Sequence, residues 1–159
     1  MLSTLLNHRS VRAFTAQTID ETLLNSILDA ATRASNTGNM QWYSIVVTTD
    51  EKLKQELQSE CHFNQSMVGQ APVVLTFCAD VHRFNKWCEQ RSAKPGYGNF
   101  LSLYTATVDA VIAAQNACVA AESYGLGICY LGTTNYTAPR LIEILELPSG
   151  VFPVTTVVM

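Results

Sequence analysis

The segment from Thr105 to Tyr124 constrains the fold most strongly, because it predicts a helix with almost no polar face. Its apolar and small residues leave no stripe for solvent; they are Val108, Val111, Ile112, Ala113, Ala114, Ala117, Cys118, Val119, Ala120 and Ala121. A helix that is apolar all round must be buried all round. One chain of 159 residues offers little material to surround it, so we infer that part of this helix packs on a second copy. Burial wholly within a monomer is the alternative.

The composition limits the class of protein. The chain is 48% hydrophobic and only 14% charged, against about 25% charged in a typical domain, which favours one domain partly covered by another subunit. A net charge of −3 and the lack of any Lys/Arg run argue against a nucleic-acid or membrane partner. The N-terminus does not follow the pattern of a secretory signal, and the five cysteines form no CxxC pair. We therefore expect free thiols and a cytoplasmic protein.

Hydrophobic periodicity predicts helices that alternate with strands. Asp20 is the candidate N-cap of an amphipathic helix that continues to Ala31. Further helices are predicted over 51–60 and 139–145, and strands over 45–49, 73–78, 128–131 and 154–159. Four strands among helices predict a three-layer α-β-α sandwich, and periodicity leaves the strand directions open. From Asp80 to Tyr104 the periodicity fades, and we expect a mobile excursion or lid.

The pentapeptide from His8 to Arg12 places two guanidinium groups, a hydroxyl and an imidazole close together. If a short apolar helix through Leu2, Leu5 and Leu6 continues into it, Arg9 and Arg12 share one helical face. The planar fork of each arginine can then donate two parallel hydrogen bonds to a phosphate. The segment predicts an anion-binding site, and a solvated basic turn is the alternative.

We predict no catalytic side chain and no metal site. The sequence has no G-x-S-x-G nucleophile elbow, and Cys61 beside His62 is adjacent in sequence rather than placed for a hydrogen bond. Cys78, His82 and Cys88 would need a fourth ligand, so two core cysteines and a surface histidine are the better interpretation.

The glycines near position 127 do not form a dinucleotide fingerprint. Gly125-Leu126-Gly127 begins like G-x-G-x-x-G, but the next glycine is Gly132, so the spacing fails. We interpret the run as a helix C-cap and turn before a strand.

Several blocks of residues, in order along most of the chain, form a more specific pattern. The first is an HRS-[VI]-R-x-F opening, here His8 through Phe14. The others are the helix Leu24 to Ser35 followed by Gln41; Phe77-Cys78-Ala79-Asp80; Ala114 to Ala117 with Ala120 to Ser123; Gly125-Leu126-Gly127; and Tyr130-Leu131-Gly132. In this register the chain resembles the FMN-dependent nitroreductase family, most closely its NADPH-flavin oxidoreductase branch.

The resemblance implies an α+β fold with a mixed or antiparallel central sheet, and an obligate homodimer with FMN at the subunit interface. The implied cofactor-binding residues are His8, Arg9, Ser10, Val11 and Arg12 at the phosphate and flavin edge, Asn36 and Gln65 at the isoalloxazine, and Tyr130, Leu131, Gly132 and Thr133, whose backbone passes close to the ring. Gly132 suits that position because a residue without Cβ lets a planar ligand approach closely.

The implied activity is an FMN-dependent NAD(P)H oxidoreductase. NADPH or NADH reduces the bound flavin, and a nitroaromatic, quinone or free flavin then takes the electrons in a ping-pong cycle. The cofactor does the chemistry, which is why no side chain is assigned as acid, base or nucleophile. Another flavin enzyme on the same fold, such as a dehalogenase, and a non-catalytic, flavin-free relative or fragment are the alternatives.

The family follows its last strand with a Gly-x-Pro turn and then basic residues that complete the phosphate and ring contacts. Neither lies within residues 1–159. We therefore expect a single FMN-binding domain that lacks its C-terminal segment in this sequence.

Overall fold

A computed structural model describes residues 2–96 and 98–159. The helices are α1 (Leu2–Leu6), α2 (Glu21–Thr32), α3 (Glu51–Glu56), α4 (Ser66–Gln70), α5 (His82–Gln90), α6 (Phe100–Ser123) and α7 (Ala138–Ile144). The strands are β1 (Tyr43–Thr48), β2 (Val74–Asp80), β3 (Cys129–Leu131) and β4 (Val151–Val158). A 3-10 turn spans Thr37–Asn39, and a π-helical turn, Leu57–Cys61, extends α3. Each predicted strand and helix is present, with ends that differ by a few residues.

The four strands form one antiparallel sheet in the order β1-β2-β4-β3. Every residue of β2 is buried, which explains why its sequence is a nearly continuous apolar run with no alternation. The pairing of β2 with β4 shifts between Phe77 and Cys78. The sheet thus settles the strand directions that periodicity left open.

Helices cover both faces of the sheet, and the predicted three-layer arrangement is confirmed. On one face α2 and α6 pack against the sheet around Ile27, Phe77 and Ala117. On the other face the π-helical turn, α4 and α7 form a second core around Leu57 and Leu141. β2 and β4 lie between the two cores, so burial on both sides fixes their register.

Helix α6 begins earlier than its apolar run. Asn99 and Ser102 form a capping box in which the Asn99 side chain accepts from the Ser102 N–H at 3.2 Å, and the Ser102 hydroxyl accepts from the Asn99 N–H at 3.2 Å. The small residues of α6 face the chain's own core, while Val111 and Ile112 on the opposite side are 44% and 37% exposed. The described residues of this chain therefore do not bury α6 on all sides.

The expected excursion from Asp80 to Tyr104 is wrong for most of its length. Residues His82–Gln90 form α5, and the last residues of the segment belong to α6; Tyr97 lies outside the described residues. The Asp80 carboxylate accepts from the Arg83 N–H at 2.9 Å and satisfies a donor in the first turn of α5. The helix was missed because it is mostly polar and buries only Cys88 completely.

Candidate functional site

The segment after α1 is extended. Ser10 forms a parallel bridge with Ile128, and the Val11 N–H donates to the Ile128 carbonyl at 2.8 Å. The expectation that Arg9 and Arg12 share a helical face is therefore wrong, because pairing with another segment takes this backbone out of the helix. Both arginines are exposed, and neither forms an ion pair with another described residue. Two guanidinium groups thus remain available to an anion at the beginning of β3.

This segment is attached to the C-terminal end of α6 and to the turn before β3. His8 Nδ1 lies 2.8 Å from Glu122 Oε1. A Cβ built on Gly127 would lie 2.8 Å from the Cβ of Val11, so glycine lets the Val11 side chain pack this close to the backbone. A cavity of about 600 Å³ beside this contact is lined in part by Arg9 and Glu122. Gly127 therefore allows the arginine-bearing segment to pack against the turn before β3.

A second group of predicted residues meets at the other end of β3. Gly132 follows the strand, and a Cβ built on it would meet nothing within 4 Å. The neighbouring Thr133 hydroxyl lies 3.4 Å from Gln65 Nε2, from which it accepts, and 2.8 Å from His62 Nδ1. The structure therefore brings Gln65 and Thr133 together beside an open position on the backbone.

The sequence did not single out His62 for this site. It is fully buried, and burial lowers the pKa of its imidazole from 6.5 to about 4, so it is neutral at physiological pH. Its Nε2 has no hydrogen-bond partner among the described residues. The available signal was its position three residues before Gln65, but the sequence interpretation weighed His62 only as a partner for Cys61.

The loop from the π-helical turn to α4 positions Gln65. Phe63 and Asn64 both adopt positive φ, at 50° and 56°, which is uncommon for residues other than glycine. The Thr137 hydroxyl donates to the Cys61 carbonyl at 2.7 Å and lies 3.2 Å from the Thr133 carbonyl. Thr137 thereby joins this loop to the turn after β3.

Tyr130 and Leu131 use their side chains in packing. The Tyr130 hydroxyl donates to Gln115 Oε1 at 3.3 Å on the α6 side, and burial raises the pKa of Tyr130. Leu131 is buried in the opposite core. β3 is an edge strand, paired in the sheet only with β4 among the described residues, and the Leu131 carbonyl accepts from the Thr134 hydroxyl at 3.0 Å.

Asn36 and His8 are held at opposite ends of a long stretch of α6. The next residue, Thr37, donates from its backbone N–H and its hydroxyl to Asp109 Oδ1 of α6, at 3.0 and 3.2 Å. His8, by contrast, is bound to Glu122 of the same helix. The stretch of α6 between these two carboxylates is about 20 Å long. One chain therefore does not bring Asn36 to the segment from His8 to Arg12, although the Asn36 Oδ1 is buried without a partner among the described residues.

The site offers recognition groups and no activated nucleophile. Burial raises the pKa of Cys61 to about 11 and keeps it a thiol. All five cysteines are buried and free. Within the described residues no three His, Cys, Asp or Glu side chains are placed to bind a metal ion, and no helix there is long and apolar enough to cross a membrane. Near β3 there are thus two exposed arginines at one end of the strand and an open backbone position at the other.

The fold is that of an α+β domain, with an antiparallel sheet between two helical layers. The chain belongs to the nitroreductase family, whose sequence profile matches residues 5–159.

Individual relatives agree with that assignment. The FMN reductase (NADPH) of Bacillus subtilis is 35% identical over 154 residues, which cover 96% of this chain and 61% of the relative. A crystal structure of a Bacteroides fragilis protein is 51% identical with a TM-score of 0.96 and covers 98% of this chain and 63% of its own. The NADPH:FMN oxidoreductase of Vibrio harveyi, solved with NAD+, is 32% identical with a TM-score of 0.91. The match covers 99% of this chain and 66% of that protein. The chain thus spans about three fifths of the length of the relatives it matches.

Proposed function

We propose that the protein containing this chain is an FMN-dependent NAD(P)H oxidoreductase that reduces nitroaromatics, quinones or free flavins. Membership of the nitroreductase family and the names of the relatives support this assignment. The five free cysteines support a cytoplasmic location.

The observation that carries the proposal is the placement of two complementary groups at the two ends of β3. Arg9 and Arg12 are exposed cations without an ion-pair partner among the described residues, as a phosphate site requires. Gly132 leaves open the space that a Cβ would fill, as a planar ring lying against the backbone requires. A ligand with a phosphate at one end and a flat ring at the other fits this pair.

Bound FMN would supply hydride chemistry between a reduced nicotinamide and the acceptor. Arg9 and Arg12 would bind its phosphate, and Gln65 and Thr133 would contact the edge of its ring. His8, tied to Glu122, orients the arginine-bearing segment. Protein groups position the ligand and supply charge, and none of them acts as acid, base or nucleophile.

We also propose that the protein is a homodimer in which each site takes residues from both copies. Asn36 is about 20 Å along α6 from the anchor of His8, so one chain does not place it beside the arginine-bearing segment. A second copy packed on the exposed apolar side of α6 would bring its own Asn36 there. Val108, Val111 and Ile112 on that side are 36–44% exposed in the single chain.

The test is the visible absorption spectrum of the purified full-length protein with FMN, before and after anaerobic addition of NADPH. A bound flavin spectrum that bleaches on addition of NADPH is expected. A protein that stays colourless after FMN is supplied would contradict the proposal. A bound flavin that neither NADPH nor NADH reduces would contradict the activity while keeping the site.

A further inference from the structure

A polar cluster of three side chains includes Thr133, the residue that follows Gly132. His62 is fully buried, and Gln65 and Thr133 are half-buried. The Thr133 hydroxyl is the shared atom, 2.8 Å from His62 Nδ1 and 3.4 Å from Gln65 Nε2. These are its hydrogen-bond partners within the described residues.

The protonation of His62 follows from its two ring nitrogens. A neutral imidazole carries one N–H and one bare nitrogen. Nε2 is buried and has no partner among the described residues. A buried donor without an acceptor is costly and rare, whereas an unsatisfied lone pair is tolerated more readily. The proton is therefore placed on Nδ1, where the Thr133 oxygen accepts it.

This tautomer fixes the direction of the Thr133 hydroxyl. A hydroxyl oxygen has two lone pairs and one proton. Donation from His62 Nδ1 and from Gln65 Nε2 occupies both lone pairs. The hydroxyl proton must then point away from the cluster, and no acceptor for it lies among the described residues.

We propose that His62 is a positioning residue that makes the Thr133 hydroxyl a hydrogen-bond donor toward the open space beside Gly132. The site consequently prefers a ligand with an acceptor atom, a carbonyl oxygen or a bare ring nitrogen, at the edge that faces Thr133. The inference rests on the proposed function in taking that ligand to be the flavin ring.

The strain in the loop supports a dedicated role for this cluster. A π-helical turn leads into His62, and two successive residues after it, Phe63 and Asn64, have positive φ. π-Helical turns often occur at functional sites, and a strained backbone persists only where its surroundings fix it. In this structure the loop places both His62 and Gln65 within hydrogen-bond distance of the Thr133 hydroxyl.

The first test reads the tautomer directly in the flavin-free protein. Long-range proton–nitrogen NMR of the uniformly ¹⁵N-labelled protein at neutral pH is expected to show a protonated Nδ1 and a bare Nε2 at His62. A protonated Nε2 would overturn the inference, because Thr133 would then donate to the imidazole and have no proton left for a ligand.

The second test measures FMN affinity in matched variants by fluorescence titration. Thr133→Val and His62→Leu are each expected to raise the Kd for FMN about five- to tenfold, as for the loss of one hydrogen bond. His62→Asn, whose amide can donate from near the Nδ1 position, is expected to restore binding to within about twofold of the unsubstituted protein. Thr48→Val, the same exchange at a buried hydroxyl on β1, serves as the control and is expected to leave the Kd unchanged.

The outcomes separate this inference from the proposed function. If the unsubstituted protein binds FMN and His62→Leu or Thr133→Val binds it equally well, the role of His62 is refuted and the oxidoreductase assignment stands. If the unsubstituted protein does not bind FMN, the proposed function fails, and the NMR result alone decides the role of His62. Should His62→Leu not fold, Thr133→Val and the tautomer still decide it.

Discussion

The Val11 side chain packs directly on the backbone of Gly127: a Cβ built on Gly127 would lie 2.8 Å from the Cβ of Val11. Through this contact the residues before β3 hold the arginine-bearing segment, because Val11 also donates its N–H to the Ile128 carbonyl. The position of the arginine-bearing segment therefore depends on the lack of a Cβ at Gly127.

Replacement of Gly127 by alanine is expected to lower the free energy of unfolding by about 1–3 kcal/mol, the usual cost of overpacking. The added methyl group must push Val11 away from Ile128, so FMN affinity should fall as well. Chemical denaturation and FMN titration measure the two effects. An alanine variant as stable as the unsubstituted protein would show that the segment moves freely and that the contact does not fix it.

Replacement of Gly132 by alanine is expected to separate stability from binding. Its Cβ meets nothing within 4 Å, so the free energy of unfolding should change by less than about 0.5 kcal/mol. The methyl group would occupy the space assigned to the flavin ring, and the Kd for FMN should rise about tenfold or more. The same two measurements apply, with Gly127→Ala as the contrasting variant. Unchanged FMN affinity would remove Gly132 from the site.

Replacement of Arg12 by alanine is expected to weaken FMN binding by about 1.5–3 kcal/mol, or about 10- to 150-fold in Kd, through the loss of charge-assisted hydrogen bonds to phosphate. The riboflavin Kd should be unaffected, since riboflavin has no phosphate. Lys52→Ala on α3 removes the same charge elsewhere on the surface and is the control. Equal losses for FMN and riboflavin would argue against a phosphate contact.

Stability should fall as the pH drops from 6.5 toward 4 because of His62. Its pKa is lowered from 6.5 to about 4 by burial, so in this range the unfolded chain binds a proton that the folded chain does not. The stabilisation is complete above pH 6.5 and is lost progressively down to pH 4, by about 3 kcal/mol.

The matched variant for this pH prediction is His62→Asn, which cannot titrate. Denaturant unfolding at several pH values should show a smaller loss for the asparagine variant than for the unsubstituted protein. Parallel losses would mean that His62 does not stay neutral when buried.

The sequence was enough to predict those elements that depend on neighbouring residues in the chain. Asp20 was expected to cap α2, and its carboxylate accepts from the Leu23 N–H at 2.9 Å. The strands were predicted correctly because short β-branched and apolar runs between turn residues are typical of β-strands. Pro139 likewise lies in the first turn of α7, where its missing N–H costs nothing.

The remaining features depend on contacts between distant parts of the chain. Periodicity cannot show that Ser10 pairs with Ile128, so the sequence left open whether the short helix before it continues. The interaction of His62 with Thr133 joins residues 71 positions apart, and no spacing rule connects them. Strand direction is of the same kind, since it depends on the path of the connections rather than on any one strand.

Helix α6 also sets the distance between the loop of Asn36 and the segment of His8. Its Asp109 binds the loop of Asn36, and its Glu122 binds His8, so the two halves of the site are separated by continuous helix. Removing one residue between these carboxylates would bring the anchors about 1.5 Å closer and rotate one against the other by about 100°. The number of residues between Asp109 and Glu122 therefore sets the distance between the loop of Asn36 and the segment of His8. Point substitutions on the surface of α6 can change what packs against the helix, but they leave this distance unchanged.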